Sequence, residues 1–532
     1  MKRNRPIVAY SQHISRLKFL LLLCISVCSI TILRGQDAIV RGERHGTAPN
    51  QVMRTLATVS LSDPMRAEDS TIEIRYELPK GTARRITRLQ LLSSDSLAIR
   101  DLPDYRGRIT YNVHAPIAEG TFRLTGEDVA GKRHFYIVAD IDASPAHSQR
   151  DTLGIRVTDV LRNGLPLKKV EHQGETSRRI FRGYEALFVP GDDGSRNYRI
   201  PAILRTHNGT LIAVADKRKY NQGDLPEDID IVLRRSEDGG ETWSPAQTVI
   251  QGQGRGLGYG DAALVQTHNG RILMFFVGGI GMWQSTAEQP IRTYLCESTD
   301  DGRTWSTPRD ITPSLFGAEC SDEVRRHFLA SFVASGQGLV LPNGRILFAA
   351  AMRENNNGFV LHNYILYSDD DGATWQVSDK AFARGDEAKL SLLPDGRILL
   401  SVRNQGGQEE GQRFFAISED SGHSWTRTRT FEGIPDNGCN GAVLQVEHHG
   451  RKLMLHSLPG HPTKRVDGVI YVYDHDKGKW SHPLLINGGM SAYSDMTMID
   501  KDTLAYFVEE DATMSLVLIR LSLDELLSDL TF

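Results

Sequence analysis

The chain has 532 residues, 40% of them hydrophobic and 24% charged, with a formal net charge of −4. That length predicts more than one domain and leaves ample apolar material for a core. The near balance of charge excludes bulk electrostatic attraction to nucleic acid or anionic membrane.

At the N-terminus, Lys2, Arg3, Arg5, Arg16 and Lys18 precede an apolar run from Phe19 to Leu33. A basic stretch followed by a short apolar one predicts a secretory signal over residues 1–35, removed near Gly35. The expected destination is the periplasm, the cell surface or the medium, with no stable membrane insertion after removal. Cleavage would remove six basic side chains and no acidic ones, taking the formal charge from −4 to −10. Only Cys296, Cys320 and Cys439 would remain, an odd number that offers no disulfide framework and predicts buried thiols.

Residues 36–175 carry no repeats. Thr71 to Leu78 alternates Ile72, Ile74 and Tyr76 with polar partners, and His134 to Ile141 and Gly154 to Val160 read alike. Short alternating runs predict a small β-sandwich-like domain, either carbohydrate-binding or a spacer. The polar run Lys168 to Arg179 is the expected linker.

From 176 to 532 the chain repeats itself. Ser-x-Asp-x-Gly-x-Thr/Ser-Trp occurs at Ser236 to Trp243, Ser298 to Trp305, Ser368 to Trp375 and Ser418 to Trp425. The Ser and Asp oxygens suit local backbone N–H groups, the Gly permits positive φ, and the Trp packs beneath the turn. A second repeat, a turn before an apolar strand, carries Asn208-Gly209, Asn269-Gly270, Asn343-Gly344, Asp395-Gly396 and His449-Gly450, with a weaker copy at Asp500 to Ala505. Six such hairpins predict an all-β fold, a six-bladed β-propeller. His207, His268, His448, His449, His456 and His461 lack zinc-site spacing and read as turn or surface residues. The Gly-rich stretch Gly252 to Gly260 does not fit a dinucleotide fingerprint.

Tyr198-Arg199-Ile200-Pro201 and Ala215-Asp216-Lys217-Arg218, together with the four boxes, resemble the signature of bacterial exo-α-sialidases (neuraminidases) over residues 183–532. The resemblance implies a glycosidase that removes terminal sialic acid from sialylated glycans and glycoproteins. It also implies that Arg199, Arg403 and Arg465 hold the substrate carboxylate, a task that suits bidentate, permanently charged guanidinium forks. Tyr493, in Gly489 to Asp495, matches the family nucleophile, and Glu387 its general base. A phenol avoids the repulsion that an attacking carboxylate would meet at an anomeric carbon already bearing one. Sialidases, with a Tyr nucleophile, are one known exception to the two-carboxylate rule of glycosidases. Asp224 matches the acid and base, with Asp228 and Asp230 as alternatives. Arg218, Asp261 and Trp283 would line the pocket, and Glu509, or else Glu510, would orient Arg199. No metal or organic cofactor is implied. A sialic-acid-binding lectin and a trans-sialidase of the same family are the competing expectations.

Overall fold

The computed structural model describes residues 37–42, 54–79, 82–94, 109–113, 117–142, 152–173, 177–179, 183–356, 358, 360–404, 411–510, 514–528, 530 and 532. The expected signal segment lies outside them. The described residues divide into two compact units, the first ending at Arg178 and the second beginning at Arg179.

The first unit contains a six-stranded and a four-stranded sheet. Thr71–Glu77 forms as expected, with Ile72, Ile74 and Tyr76 buried. His134–Ile141 also matches, whereas the third expected strand is divided into Thr152–Gly154 and Arg156–Arg162. The expected linker is not uniformly loop. Its residues Val170–Gln173 form an edge strand parallel to Ala38–Gly42. Local polarity hides this pairing, because the partner lies at the far end of the unit's sequence.

The second unit repeats one antiparallel arrangement. Asn197–Arg205, Leu211–Arg218, Ile229–Ser236 and Gln247–Ile250 are hydrogen-bonded in chain order. The same order recurs in the sheets that begin at Tyr259–Gln266, Ala330–Val333 and Gly385–Leu392. In the last sheet the long strand Leu484–Met498 serves two ladders. Its first half pairs with Val466–Asp474 and its second half with Thr503–Glu510. Gly183–Phe188, the strand nearest the start of this unit, pairs with Ser515–Ser522 near its end.

Apolar clusters lie between successive sheets. Val214 and Ile231 of the first meet Leu264 and Phe276 of the second, and Phe275 meets Phe348 of the third. Leu347 meets Leu400 of the fourth, and Phe507 and Leu518 of the last meet Leu211 and Ala213 of the first. Each Ser-x-Asp box docks on a neighbouring sheet. In one box Ser368 Oγ accepts the Gly372 N–H at 2.8 Å and Asp370 Oδ1 accepts the Thr374 N–H at 2.9 Å. Trp375 Nε1 donates to the Gly372 carbonyl at 3.1 Å, and its ring meets Phe275 edge-on at 4.6 Å between centroids. The boxes therefore turn the chain and cement neighbouring sheets.

Cys296, Cys320 and Cys439 are free and buried. Burial pushes the Cys296 and Cys439 thiols up to about 12, so both stay protonated. No helix among the described residues is long and apolar enough to cross a membrane.

Gly372 has φ +87°, and a Cβ there would stand 2.6 Å from Leu273 Cδ1. Gly372→Ala should therefore cost about 1–3 kcal/mol in denaturant unfolding. An unchanged midpoint would contradict the docking role of the box.

Candidate active site

Four sheets contribute through the same local irregularity. Register shifts interrupt the first strand of the first, second and fourth sheets, between Arg199 and Ala202, Gly260 and Ala263, and Gly385 and Ala388. A fourth shift lies between Ser491 and Ser494 of the long strand. A bulge breaks the strict alternation of a strand and re-aims the side chains in and beside it. Arg199, Asp261, Asp386, Glu387 and Tyr493 all stand at these interruptions. Ile200 and Asp261 take left-handed φ values of +61° and +58°, costly for a β-branched isoleucine and a mark of functional constraint.

Glu509 holds two of these strands in place. Fully buried, it accepts from Arg199 Nε at 3.1 Å, the Ile200 N–H at 2.9 Å and the Tyr493 N–H at 3.1 Å. Its neighbour Glu510 faces the other way and accepts from the Tyr184 hydroxyl.

A cleft of about 440 Å³ is lined by Arg199, Arg403, Arg465, Asp224, Asp261, Asp386, Glu387, Trp283 and Tyr493. At its floor the Tyr493 hydroxyl donates to Glu387 Oε2 at 2.5 Å and accepts from Arg403 Nη1 at 2.7 Å. Arg403 also pairs with Glu387 directly. The Arg199 and Arg465 guanidinium carbons stand 5.2 and 5.3 Å from the Tyr493 ring centroid. Arg465 is anchored by donating through Nη2 to the Gly438 carbonyl at 2.7 Å. Trp283 is half-exposed at the cleft wall, with the Arg353 guanidinium 5.8 Å from its ring centroid.

Arg218, expected at the pocket wall, instead lies beneath the surface and does not line the cleft, because its guanidinium is drawn inward between two carboxylates. It reaches Asp224 Oδ1 through Nη1 at 2.8 Å and Asp216 Oδ2 through Nη2 at 3.3 Å. Asp224 itself is 75% exposed and 3.6 Å from Arg199 Nη1. Asp228 and Asp230 are buried against Lys219 at 2.9 and 2.8 Å and do not line the cleft.

Burial and charge set the protonation states. Burial drives the Tyr493 phenol well above its usual range, Glu387 adds to that, and Arg403 opposes it, so the hydroxyl is neutral. Burial acts against the Arg403 charge, but Asp386 and Glu387 outweigh it and keep the guanidinium ionised. Desolvation would raise Asp224, yet Arg218 and Arg199 prevail and hold it below the usual carboxylate range. Burial, then the charges of Asp216 and Asp224, lift Asp261 well above that range. Asp216 is raised chiefly by burial, against the pull of Arg218.

Several residues that build this cleft are not singled out by the motifs that mark its other members. Asp216 and Asp386 stood beside assigned residues, which was the available signal. Leu225, Met282, Phe332 and Leu361 come from segments without any repeat. The wholly buried pair Arg413 and Asp436 braces two arginines at once. Asp436 accepts the Asn404 N–H next to Arg403 at 2.9 Å and the Gly438 N–H beneath Arg465 at 2.7 Å. Its charge is matched by Arg413 Nη1 at 3.2 Å. The Gly-rich stretch also acquires a purpose. A Cβ on Gly258 would lie 2.1 Å from the Glu227 carbonyl oxygen, so only glycine lets the Asp224 segment pack there.

The repeated sheets and the arginine-lined cleft define a class of all-β repeat proteins. The BNR repeat-like domain matches residues 209–505, and the chain belongs to this family, with bacterial exo-sialidases as its members of similar sequence. It is 29% identical over 344 residues to a sialidase of Bacteroides fragilis, covering 60% of this chain and 61% of that protein. It is 30% identical over 347 residues to a sialidase of Micromonospora viridifaciens, covering 61% and 51%. The match thus spans about half to three-fifths of the length of these relatives. A solved microbial sialidase from a Hadza source, Hz136, shares the fold with a TM-score of 0.72 at 24% identity, over 91% of this chain and 99% of that one.

Gly258→Ala should displace the Asp224 segment by about 1 Å. A crystal structure of the variant with the Asp224 and Arg218 pair unmoved would refute the close-packing role.

Proposed function

We propose that this chain is an exported exo-α-sialidase, with a six-bladed β-propeller preceded by a β-sandwich-like domain. Its reaction is release of terminal α-linked sialic acid from glycans and glycoproteins with retention, through a covalent tyrosyl-sialoside. Packing of the last sheet on the first supports the propeller reading. The observation that carries the function is the meeting of three guanidinium groups over a phenol already hydrogen-bonded to a buried carboxylate. Three permanent positive charges suit an anionic sugar, and they supply locally the attraction that an acidic protein lacks overall.

In this reading Arg199, Arg403 and Arg465 clamp the substrate carboxylate and set the anomeric carbon over Tyr493 Oη. Glu387 takes the phenol proton as the bond to carbon forms, which lets a neutral nucleophile attack without facing the substrate carboxylate as a like charge. Asp224 gives its proton to the departing oxygen and later takes one from water. Asp261 faces the ring substituents, Arg218 acts from beneath by positioning Asp224, and Trp283 walls the acyl group.

Asp224 must be protonated to act first as an acid, yet Arg218 and Arg199 favour its ionised form in the free protein. The arriving carboxylate partly neutralises Arg199 and adds a negative charge near Asp224, so substrate binding raises the Asp224 pKa. Activity that needs a protonated acid is present below that pKa and lost above it. The alkaline limb of kcat, which reports the complex, should therefore lie at higher pH than that of kcat/KM, which reports the free enzyme. Coincident limbs would count against Asp224 as the acid.

Tyr493→Phe should lower kcat/KM on a fluorogenic sialoside on the order of 10³-fold or more while leaving unfolding unchanged. Near-parental turnover would remove Tyr493 as nucleophile. NMR of the products separates hydrolysis, which yields free sialic acid with retained anomeric configuration at first release, from transfer.

A further inference from the structure

The turn between Ala442–His448 and Arg451–Pro459 has two residues, His449 and Gly450, with φ of +50° and +74°. Neighbouring side chains on a strand point to opposite faces. The left-handed backbone at His449 breaks that rule and brings its ring to 4.1 Å from that of His448. Both Nε2 atoms then converge on one oxygen. Asp524 Oδ1, at the start of the helix Leu523–Ser528, lies 2.8 Å from His448 Nε2 and 2.7 Å from His449 Nε2.

We propose that His448, His449 and Asp524 form a binding site for a zinc-type divalent transition-metal ion. Two imidazole nitrogens with one carboxylate oxygen are a borderline donor set that suits Zn²⁺, whereas Ca²⁺ and Mg²⁺ require mostly oxygen. Asp502 Oδ1 lies 3.9 Å from His448 Nδ1, behind the ring. That carboxylate is beyond hydrogen-bond distance in this arrangement but near enough to serve as an outer partner of the ring. Ligands about 2.0–2.1 Å from zinc sit about 3.3 Å from one another, so each nitrogen needs to separate from the shared oxygen by about half an ångström. His449 and Asp524 are 73% and 62% exposed and able to move that far, while His448 is buried and fixes the site. Exposure leaves the fourth position to water. An ion held here would clip the hairpin to the last helix, joining elements 75 residues apart in sequence. The site shares no residue with the cleft.

Calorimetric titration of the full chain, stripped with chelator and held near neutral pH, tests this with Zn²⁺ and with Ca²⁺ as control. The expected result is one saturable equivalent of Zn²⁺ and none of Ca²⁺, with the thermal midpoint rising on Zn²⁺ addition. His449→Asn keeps a residue that tolerates left-handed φ, and Asp524→Asn keeps the side-chain shape. Each should weaken Zn²⁺ at least about tenfold and abolish the thermal shift. Absence of a saturable equivalent, equal binding of Ca²⁺, or parental Zn²⁺ affinity in both variants would overturn the proposal.

Discussion

The cleft depends on one fully buried carboxylate. Glu509 is bonded to the side chain of Arg199, the backbone of Ile200 and the backbone of Tyr493. A charge without water must be compensated by donors, and here those donors belong to two strands that each depart from regular pairing. The same bonds that satisfy Glu509 hold Ile200 in a left-handed conformation and set the position of Tyr493. The strain at Ile200 is thus retained because its surroundings leave no relaxed alternative.

Around that point the fold separates stability from chemistry. The Ser-x-Asp boxes lie in turns whose Ser and Asp oxygens are satisfied by the turn's own N–H groups, and they bind sheet to sheet. Arg199, Asp261, Asp386, Glu387 and Tyr493 lie instead at bulges, where pairing is already interrupted. Loops that lack repeats then complete the wall with Met282 and Leu361, and the strand Ala330–Val333 adds Phe332. Regular repetition supplies a rigid frame, and departures from it place the reactive side chains.

Charge within the cleft is divided by depth. Tyr493, Glu387 and Arg403 form one buried unit in which a neutral phenol, a carboxylate and a guanidinium share a hydrogen-bond network. Asp216 and Asp261 lie close together with raised pKa values, because burial and mutual repulsion disfavour two ionised carboxylates. Asp224, nearer to solvent and flanked by two arginines, is displaced in the opposite direction. Carboxylates of one chemical kind are therefore held in different protonation states.

The amino-acid sequence by itself determined the repeating all-β frame, since Asn-Gly turns and Ser-x-Asp boxes encode their geometry in local backbone conformation. It also pointed to Arg199, Glu387, Arg403 and Tyr493, because distinctive neighbours surround them. Only the tertiary structure decided that these residues face one cleft, that Glu509 rather than Glu510 supports Arg199, and that Val170–Gln173 is strand. It alone brought Arg413 to Asp436, and His448 and His449 to Asp524. Those relations join segments far apart along the chain, and side-chain direction at a bulge is set by partners that no local pattern names.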